Sequence, residues 1–153
     1  IALGAAPALD FPICGAAIDY AARAIVHLAL AGADGRVFHL VDPVGTGWRE
    51  IVDWTVRAGY ALDTVDFAEW KRRLGAVPGG FALAPFFTEG NFERIVLPRF
   101  DTAQVVEGLR GTDIRCPLPR YEQFCLTLRH FARRGFLPPP GGAAQVIGSS
   151  AGK

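Results

Sequence analysis

Residues 17–30 read AIDYAARAIVHLAL, with Ile18, Ala22, Ile25 and Leu28 at helical spacing. That spacing predicts one helix with a single buried stripe running to about Ala31. Asp19 suits the N-cap, where its carboxylate would accept from the first unpaired backbone N–H groups. Tyr20, Arg23, Ala24 and His27 share a second face, readable as a polar rim against another part of the polypeptide or as solvated surface. The glycines of AGADG (31–35) then break the helix.

Outward from this helix, RVFHLVDP (36–43) reads as a buried β-strand of about six residues stopped by Pro43. WREIVDWTVRAGY (48–60) is a second amphipathic helix with Trp48, Ile51, Val52 and Val56 on its apolar face and Gly59 at its C-terminal stop. A strand over about 61–65 follows, and Asp66 with Glu69 three residues later matches the acidic form of a capping box, predicting a helix over 67–74. Residues 1–16 are loop with one short extended piece, so the opening half reads as the closing part of an α/β sheet.

After Gly75 the pattern changes. Residues 76–99 hold Pro- and Gly-rich breaks around Phe81, Phe86, Phe87 and Phe92. A short helix opens at Asp101 or Thr102. PRYEQFCLTLRHFARRGF (119–136) predicts the clearest helix, with Pro119 in its first turn and Tyr121, Phe124, Cys125, Leu128, Phe131 and Ala132 buried. Gly135 suits the left-handed position beyond its end, with Phe136 folding back onto Phe131. LPPP (137–140) closes the fold, and residues 141–153 read as a flexible tail.

The composition narrows the partners. Of 153 residues, half are apolar and a fifth charged, with a net charge of +1, so neither nucleic acid nor a membrane is expected as a partner. No apolar run reaches the roughly 18 residues that a span requires. Cys14, Cys116 and Cys125 fit neither a disulfide framework nor a zinc ribbon, which points to a reducing, cytoplasmic setting and no metal. Methionine is absent even at position 1. The expectation is therefore a piece of a longer polypeptide.

Several words, in order, carry a family resemblance: LGAAPALDFP, IDYAARAIVHLA, RVFHLVDP, WREIVDW, FAEWKRRLG, FDTAQVVEGLRGTDIRCP and GFLPPP. Over about residues 1–140 they resemble the C-terminal portion of a thioester reductase domain, of the kind that terminates nonribosomal peptide synthetases and polyketide synthase hybrids and occurs in carboxylic acid reductases. Ala17-Ile18 depart from the family's usual Pro-Val, and Gly47 stands in place of a capping Ser.

The resemblance implies an extended short-chain dehydrogenase/reductase that uses NADPH. Such a domain reduces an acyl or peptidyl thioester, held on a carrier protein's phosphopantetheine arm, to an aldehyde or alcohol. The implied fold class is α/β to mainly α: the substrate-side part of that fold, with a few strands completing a Rossmann sheet and a helical subdomain. The expected division is 1–75 for the closing α/β elements, 76–140 for a mainly helical substrate-binding subdomain with a lid-like segment at 78–99, and 141–153 for the tail.

This chain lacks the glycine-rich cofactor loop. It also lacks the Tyr-x-x-x-Lys pair, since Ala24 stands four residues after Tyr20 and the first lysine is Lys71. No catalytic residue is expected here. NADPH would be held mainly by an upstream Rossmann part, the expected partner within the same domain, and the isolated chain would be inactive.

Asp19, Tyr20, Phe86 and Phe87 are candidates for a substrate channel, the rings of 81–92 serving as a lid or simply as core under a long loop. Arg129, Arg133 and Arg134 make a basic flank for an acidic carrier protein, or a solvated surface that suits a helix C-terminus. His39 reads as a hydrogen-bonded core or face residue. Asp42-Pro43 lies at a strand's carboxyl end, where α/β sheets place ligands, or forms a plain turn. Two other readings stay open: a non-catalytic helical module that binds carrier proteins, and the tail of a fatty-acyl reductase or sugar epimerase.

Overall fold

The computed structural model describes residues 1–32, 35–77, 87 and 100–141. Its elements, in chain order, are β1 (Ala5–Pro7), β2 (Pro12–Ile13), α1 (Ile18–Leu30), β3 (Thr46–Gly47), α2 (Trp48–Arg57), β4 (Asp63–Val65), α3 (Phe67–Gly75), α4 (Ala103–Gly108) and α5 (Tyr121–Arg133). Contacts divide the chain into two units, each assembled from segments distant in sequence. Unit 1 is Ile1–Phe11, Trp48–Val96 and Arg120–Lys153, and unit 2 is Pro12–Gly47 and Leu97–Pro119.

In unit 1, β1 pairs in parallel with β4, Ala5 opposite Asp63, Ala6 opposite Thr64 and Pro7 opposite Val65. The ladder extends past both ends, from Asp63 N–H to the Gly4 carbonyl at 2.9 Å and from Ala8 N–H to the Val65 carbonyl at 2.7 Å. Ala5, Ala6 and Pro7 are all buried. Three small or compact residues let helices lie close over the strand. Val52 and Thr55 of α2 and Phe67 and Leu74 of α3 supply the buried positions of their helices.

The helix ends follow their local chemistry. Asp66 caps α3, its Oδ1 accepting from Glu69 N–H at 2.8 Å. Only half of the expected capping box forms, because the Glu69 carboxylate turns to Arg72 and Arg73, each at 2.7 Å. At the end of α5, Gly135 adopts φ +75°, and the N–H groups of Gly135 and Phe136 return to the Ala132 and Phe131 carbonyls at 3.1 and 2.9 Å. The Phe131 and Phe136 rings meet edge to face at 6.2 Å. This is the glycine stop read from the sequence. Pro119 is not in the first turn: the N-cap is Arg120, and Pro119 precedes it. Leu128 is the buried residue of α5, whereas Phe131, expected inside, is exposed.

Unit 2 pairs α1 with α4 around Tyr20, Ala24, Leu28, Val105, Leu109 and Ile114. Two expectations fail here. Asp19 does not cap α1; the N-cap is Ala17, and Asp19 is an exposed residue of the first turn. The expected buried stripe is largely the exposed one, with Ile18 83% and Ile25 57% exposed, and the core comes from the face expected to be a polar rim. The physical reason is closeness of approach. Ala24 is 0% exposed, and a Cβ placed on Gly108 of α4 would meet Leu28 Cδ2 at 2.5 Å. Small residues on facing helices admit a contact that isoleucines would hold apart.

RVFHLVDP is not a strand: residues 36–41 form neither helix nor ladder. Phe38 and Leu40 pack against the core while Val37 and His39 face outward, so the segment is half-buried rather than buried. His39 Nδ1 donates to the Asp101 carbonyl at 3.1 Å, and its ring meets Phe100 at 5.2 Å. β2 and β3 form a two-residue antiparallel pair, Pro12 opposite Gly47 and Ile13 opposite Thr46.

Candidate functional site

Three of the concavities formed by the described residues each lie within a single unit. In unit 1 a pocket of about 540 Å³ is walled by Leu3, Pro7, Trp48, Ile51, Trp70 and Phe87, among others, and is overwhelmingly apolar. Two polar side-chain groups on its walls are already paired. Trp48 Nε1 donates to the Pro7 carbonyl at 2.8 Å and Thr55 Oγ1 to the Ile51 carbonyl at 2.7 Å. Trp48 also stacks on Phe11 at 5.7 Å with 14° between the planes, and Trp70 meets Phe87 edge to face at 5.4 Å.

In unit 2 a cavity of about 310 Å³ is bordered by Tyr20, Asp42, Thr102, Val106, Leu109 and Cys116, with Arg110 and Arg115 also on its wall. Burial, and then the neighbouring Cys116, raise the Tyr20 hydroxyl above its ordinary pKa. Burial, and then the Asp42 charge, raise the Cys116 thiol. Both groups therefore stay protonated at neutral pH.

The third concavity, about 450 Å³ and in unit 1, lies between Arg57, Tyr60, Tyr121, Glu122, Cys125 and Arg129. The Arg57 guanidinium covers the Tyr121 ring at 4.1 Å.

The sequence candidates distribute as follows. Tyr20 lines the unit 2 cavity while Asp19, next to it, is exposed; Phe87 lines the unit 1 pocket. Phe86, with the rest of the lid-like segment 78–99 apart from Phe87, lies outside the described residues, as does the tail beyond Gly141. Arg129 borders the third concavity, and Arg133 and Arg134 are exposed at the end of α5.

Sequence reasoning did not single out Trp48 and Trp70 as pocket walls. Both sit on apolar helix faces where a core role and a pocket role look alike. Tyr60 and Cys116 carried no spacing signal at all. Among the described residues no cluster of His, Cys, Asp or Glu could hold a metal ion, and no helix is long and apolar enough to cross a membrane.

No family model matches the chain. Over 139 residues it is 30% identical to an isonitrile lipopeptide synthase of Streptomyces coeruleorubidus, covering 82% of this chain and 9% of that protein. Over 64 residues it is 44% identical to a carboxylic acid reductase of Segniliparus rugosus, covering 39% of this chain and 5% of that one. The terminal R domain from the myxalamid PKS-NRPS biosynthetic pathway superimposes with a TM-score of 0.75 at 24% identity, over 90% of this chain and 37% of that chain. This is the fold of a terminal reductase domain. The resemblance to the C-terminal portion of thioester reductases, read from the ordered sequence words, holds. The chain spans under a tenth of the length of these curated relatives. Its helices and small parallel sheet make up a part of the α/β reductase fold.

A nicotinamide dinucleotide would require a strand-to-helix turn whose free backbone N–H groups cradle its pyrophosphate. In the parallel sheet that turn joins β4 to α3. There the Asp66 carboxylate already takes the Glu69 N–H, and Glu69 adds a second acidic side chain to the first turn. A phosphate would meet occupied donors and negative charge, so this turn does not fit the cofactor.

Proposed function

We propose that the chain is the substrate-binding part of an NADPH-dependent thioester reductase domain, which releases a carrier-bound acyl or peptidyl thioester as an aldehyde or alcohol. The observation that carries this reading is the apolar pocket of unit 1. Its walls of Trp48, Trp70, Phe87 and aliphatic side chains suit the body of an acyl chain and exclude water from it. Phe87, proposed as a channel residue, stands on this wall, and Tyr20 stands on the wall of the unit 2 cavity. The cofactor belongs to the upstream Rossmann part, and the exposed apolar side chains of α1, Ile18, Ile25, Val26 and Leu30, suit packing against that part. Arg129, Arg133 and Arg134 suit the acidic surface of a carrier protein.

The test joins this chain to the upstream part in one polypeptide and measures aldehyde release from carrier-bound thioesters. The isolated chain should give none. Phe87→Ala should raise KM for a long acyl thioester about tenfold, the cost of about 1.4 kcal/mol of lost apolar contact, and leave a short one nearly unchanged. Equal effects on both chain lengths, or turnover by the isolated chain, would overturn the reading. Arg129→Glu with Arg133→Glu should slow reduction of carrier-bound substrate and spare a small free thioester.

A further inference from the structure

In unit 1 the end of α2 and one face of α5 border the concavity of about 450 Å³. Tyr121, Cys125, Leu128 and Arg129 recur at helical spacing, so a single face of α5 supplies one wall. Arg57 and Tyr60, where α2 ends, supply another, and Pro140 closes the space. The closure is tight. Gly59 adopts φ +97°, a Cβ placed on it would meet Pro140 Cβ at 3.0 Å, and the Gly141 N–H donates to the Gly59 carbonyl at 2.8 Å. Glycine at 59 is what lets Pro140 come so near.

The cations on these walls are uncommitted. The Arg57 guanidinium lies over the Tyr121 ring at 4.1 Å. Such a contact uses the charge and leaves N–H groups for a further partner. Among the described residues, neither Arg57 nor Arg129 has a side-chain hydrogen bond or an ion pair. The arginines of the unit 2 cavity are different: Arg110 is paired with Glu107, and Arg115 Nη1 donates to the Ile114 carbonyl at 2.8 Å. The Tyr60 hydroxyl is sealed from solvent, so its ring and not its oxygen meets an occupant.

We infer that this concavity binds the carboxylate end of a small molecule with an apolar or aromatic body, the carboxylate accepting from the Arg57 guanidinium and Arg129 adding its charge. A planar carboxylate matches the guanidinium fork. Arg57 and Arg129 against Glu122 leave one net positive charge on the walls, which a monoanion balances and a phosphate dianion overshoots. Tyr121, Leu128 and Pro140 offer cover for the body. The volume falls within the range of about 300–1,000 Å³ usual for ligand pockets. This inference does not rest on the reductase reading, and its test reads binding rather than turnover.

The matched probes are 2-naphthoate and 2-naphthamide, which share a shape and differ in charge. Titrations of the full chain would be followed by the methyl signals of Leu128 and the indole signal of Trp54, whose ring meets Tyr121 at 6.3 Å. Naphthoate should bind about tenfold more tightly than naphthamide, the worth of about one charge-assisted hydrogen bond, and added salt should shrink the preference. In Arg57→Gln the preference should fall below about threefold. Arg36→Gln removes the same charge from a guanidinium over Phe38 that does not line this concavity, and should leave the preference unchanged. Equal affinities in the unaltered chain would overturn the inference even if Arg57→Gln failed to fold. So would an unchanged preference in Arg57→Gln, an equal fall in Arg36→Gln, or shifts confined to Arg133 and Arg134 at the end of α5.

Discussion

The pocket of unit 1 and the cavity of unit 2 are both walled mainly by hydrocarbon, yet they treat polar atoms in opposite ways. Around the first, the indole N–H of Trp48 and the hydroxyl of Thr55 are each matched to a backbone carbonyl, so an occupant meets mainly apolar surface. Beside the second, one buried carboxylate oxygen, Oδ2 of Asp42, is unmatched. A mostly apolar wall discriminates by size and shape, at about 25 cal/mol per Å² of apolar surface covered. A buried oxygen without a donor instead costs the fold free energy, because it has lost water and gained no partner.

The comparison breaks most severely if the unit 1 pocket is not held by its aromatic wall. Trp48 stacks on Phe11, anchors its N–H on Pro7 and faces the pocket. Trp48→Ala should cost about 3–5 kcal/mol, the range for removing a large packed aromatic side chain. All three tryptophans lie in unit 1. Urea unfolding followed by fluorescence of the remaining Trp54 and Trp70 therefore reads that unit directly. A midpoint unchanged within error would mean that the wall is not structural and that the pocket is open surface.

In unit 2 the matching question is which face of α1 is inside. Ala24→Leu inserts three carbons where no space is left and should cost about 1–3 kcal/mol, whereas Ile25→Gln, on a solvated face, should stay within about 0.5 kcal/mol. Circular dichroism melts of both variants check this, and the reverse order would restore the Ile18, Ala22, Ile25 and Leu28 stripe.

That stripe also marks how far the sequence can be read. The α1 boundaries were legible because breakers and periodicity are local signals. The buried face was not, because hydrophobicity favoured the isoleucines while packing favoured the residues that let α4 approach. The same limit applies to RVFHLVDP, read as a buried strand from its apolar residues, because its pairing depends on neighbours that no local pattern reports. Capping at Asp66 and the stop at Gly135 were legible because each is settled within a few residues. Phe87 was legible as a candidate but its partner Trp70 was not, since the T-shaped contact joins residues 17 positions apart. Asp42 was noticed at the end of its segment, but its orphan oxygen becomes visible only once the surrounding donors are placed.

The smallest difference between the units should appear in acid. In unit 1, hydrogen bonds from Arg72 and Arg73 hold the Glu69 carboxyl down at about 2, against an ordinary 4.5. In unit 2 the Asp113 carboxyl is lowered in the same sense, first by its hydrogen bond to Arg23 at 2.8 Å and then by that residue's charge. A carboxyl lowered on folding stabilises the folded state fully above its unfolded pKa, and that contribution disappears as pH falls through the folded value. For Glu69 the window runs from about pH 4.5 down to about 2. Arg72 and Asp113 stand largely at the surface and Glu69 is partly exposed, so added salt should weaken both effects. Melting temperatures of the unaltered chain and of Glu69→Gln should therefore differ most at pH 5 and above and converge toward pH 2. A constant gap across that range would show that Glu69 acts through packing on α3 and that its ion pairs add nothing to the stability of unit 1.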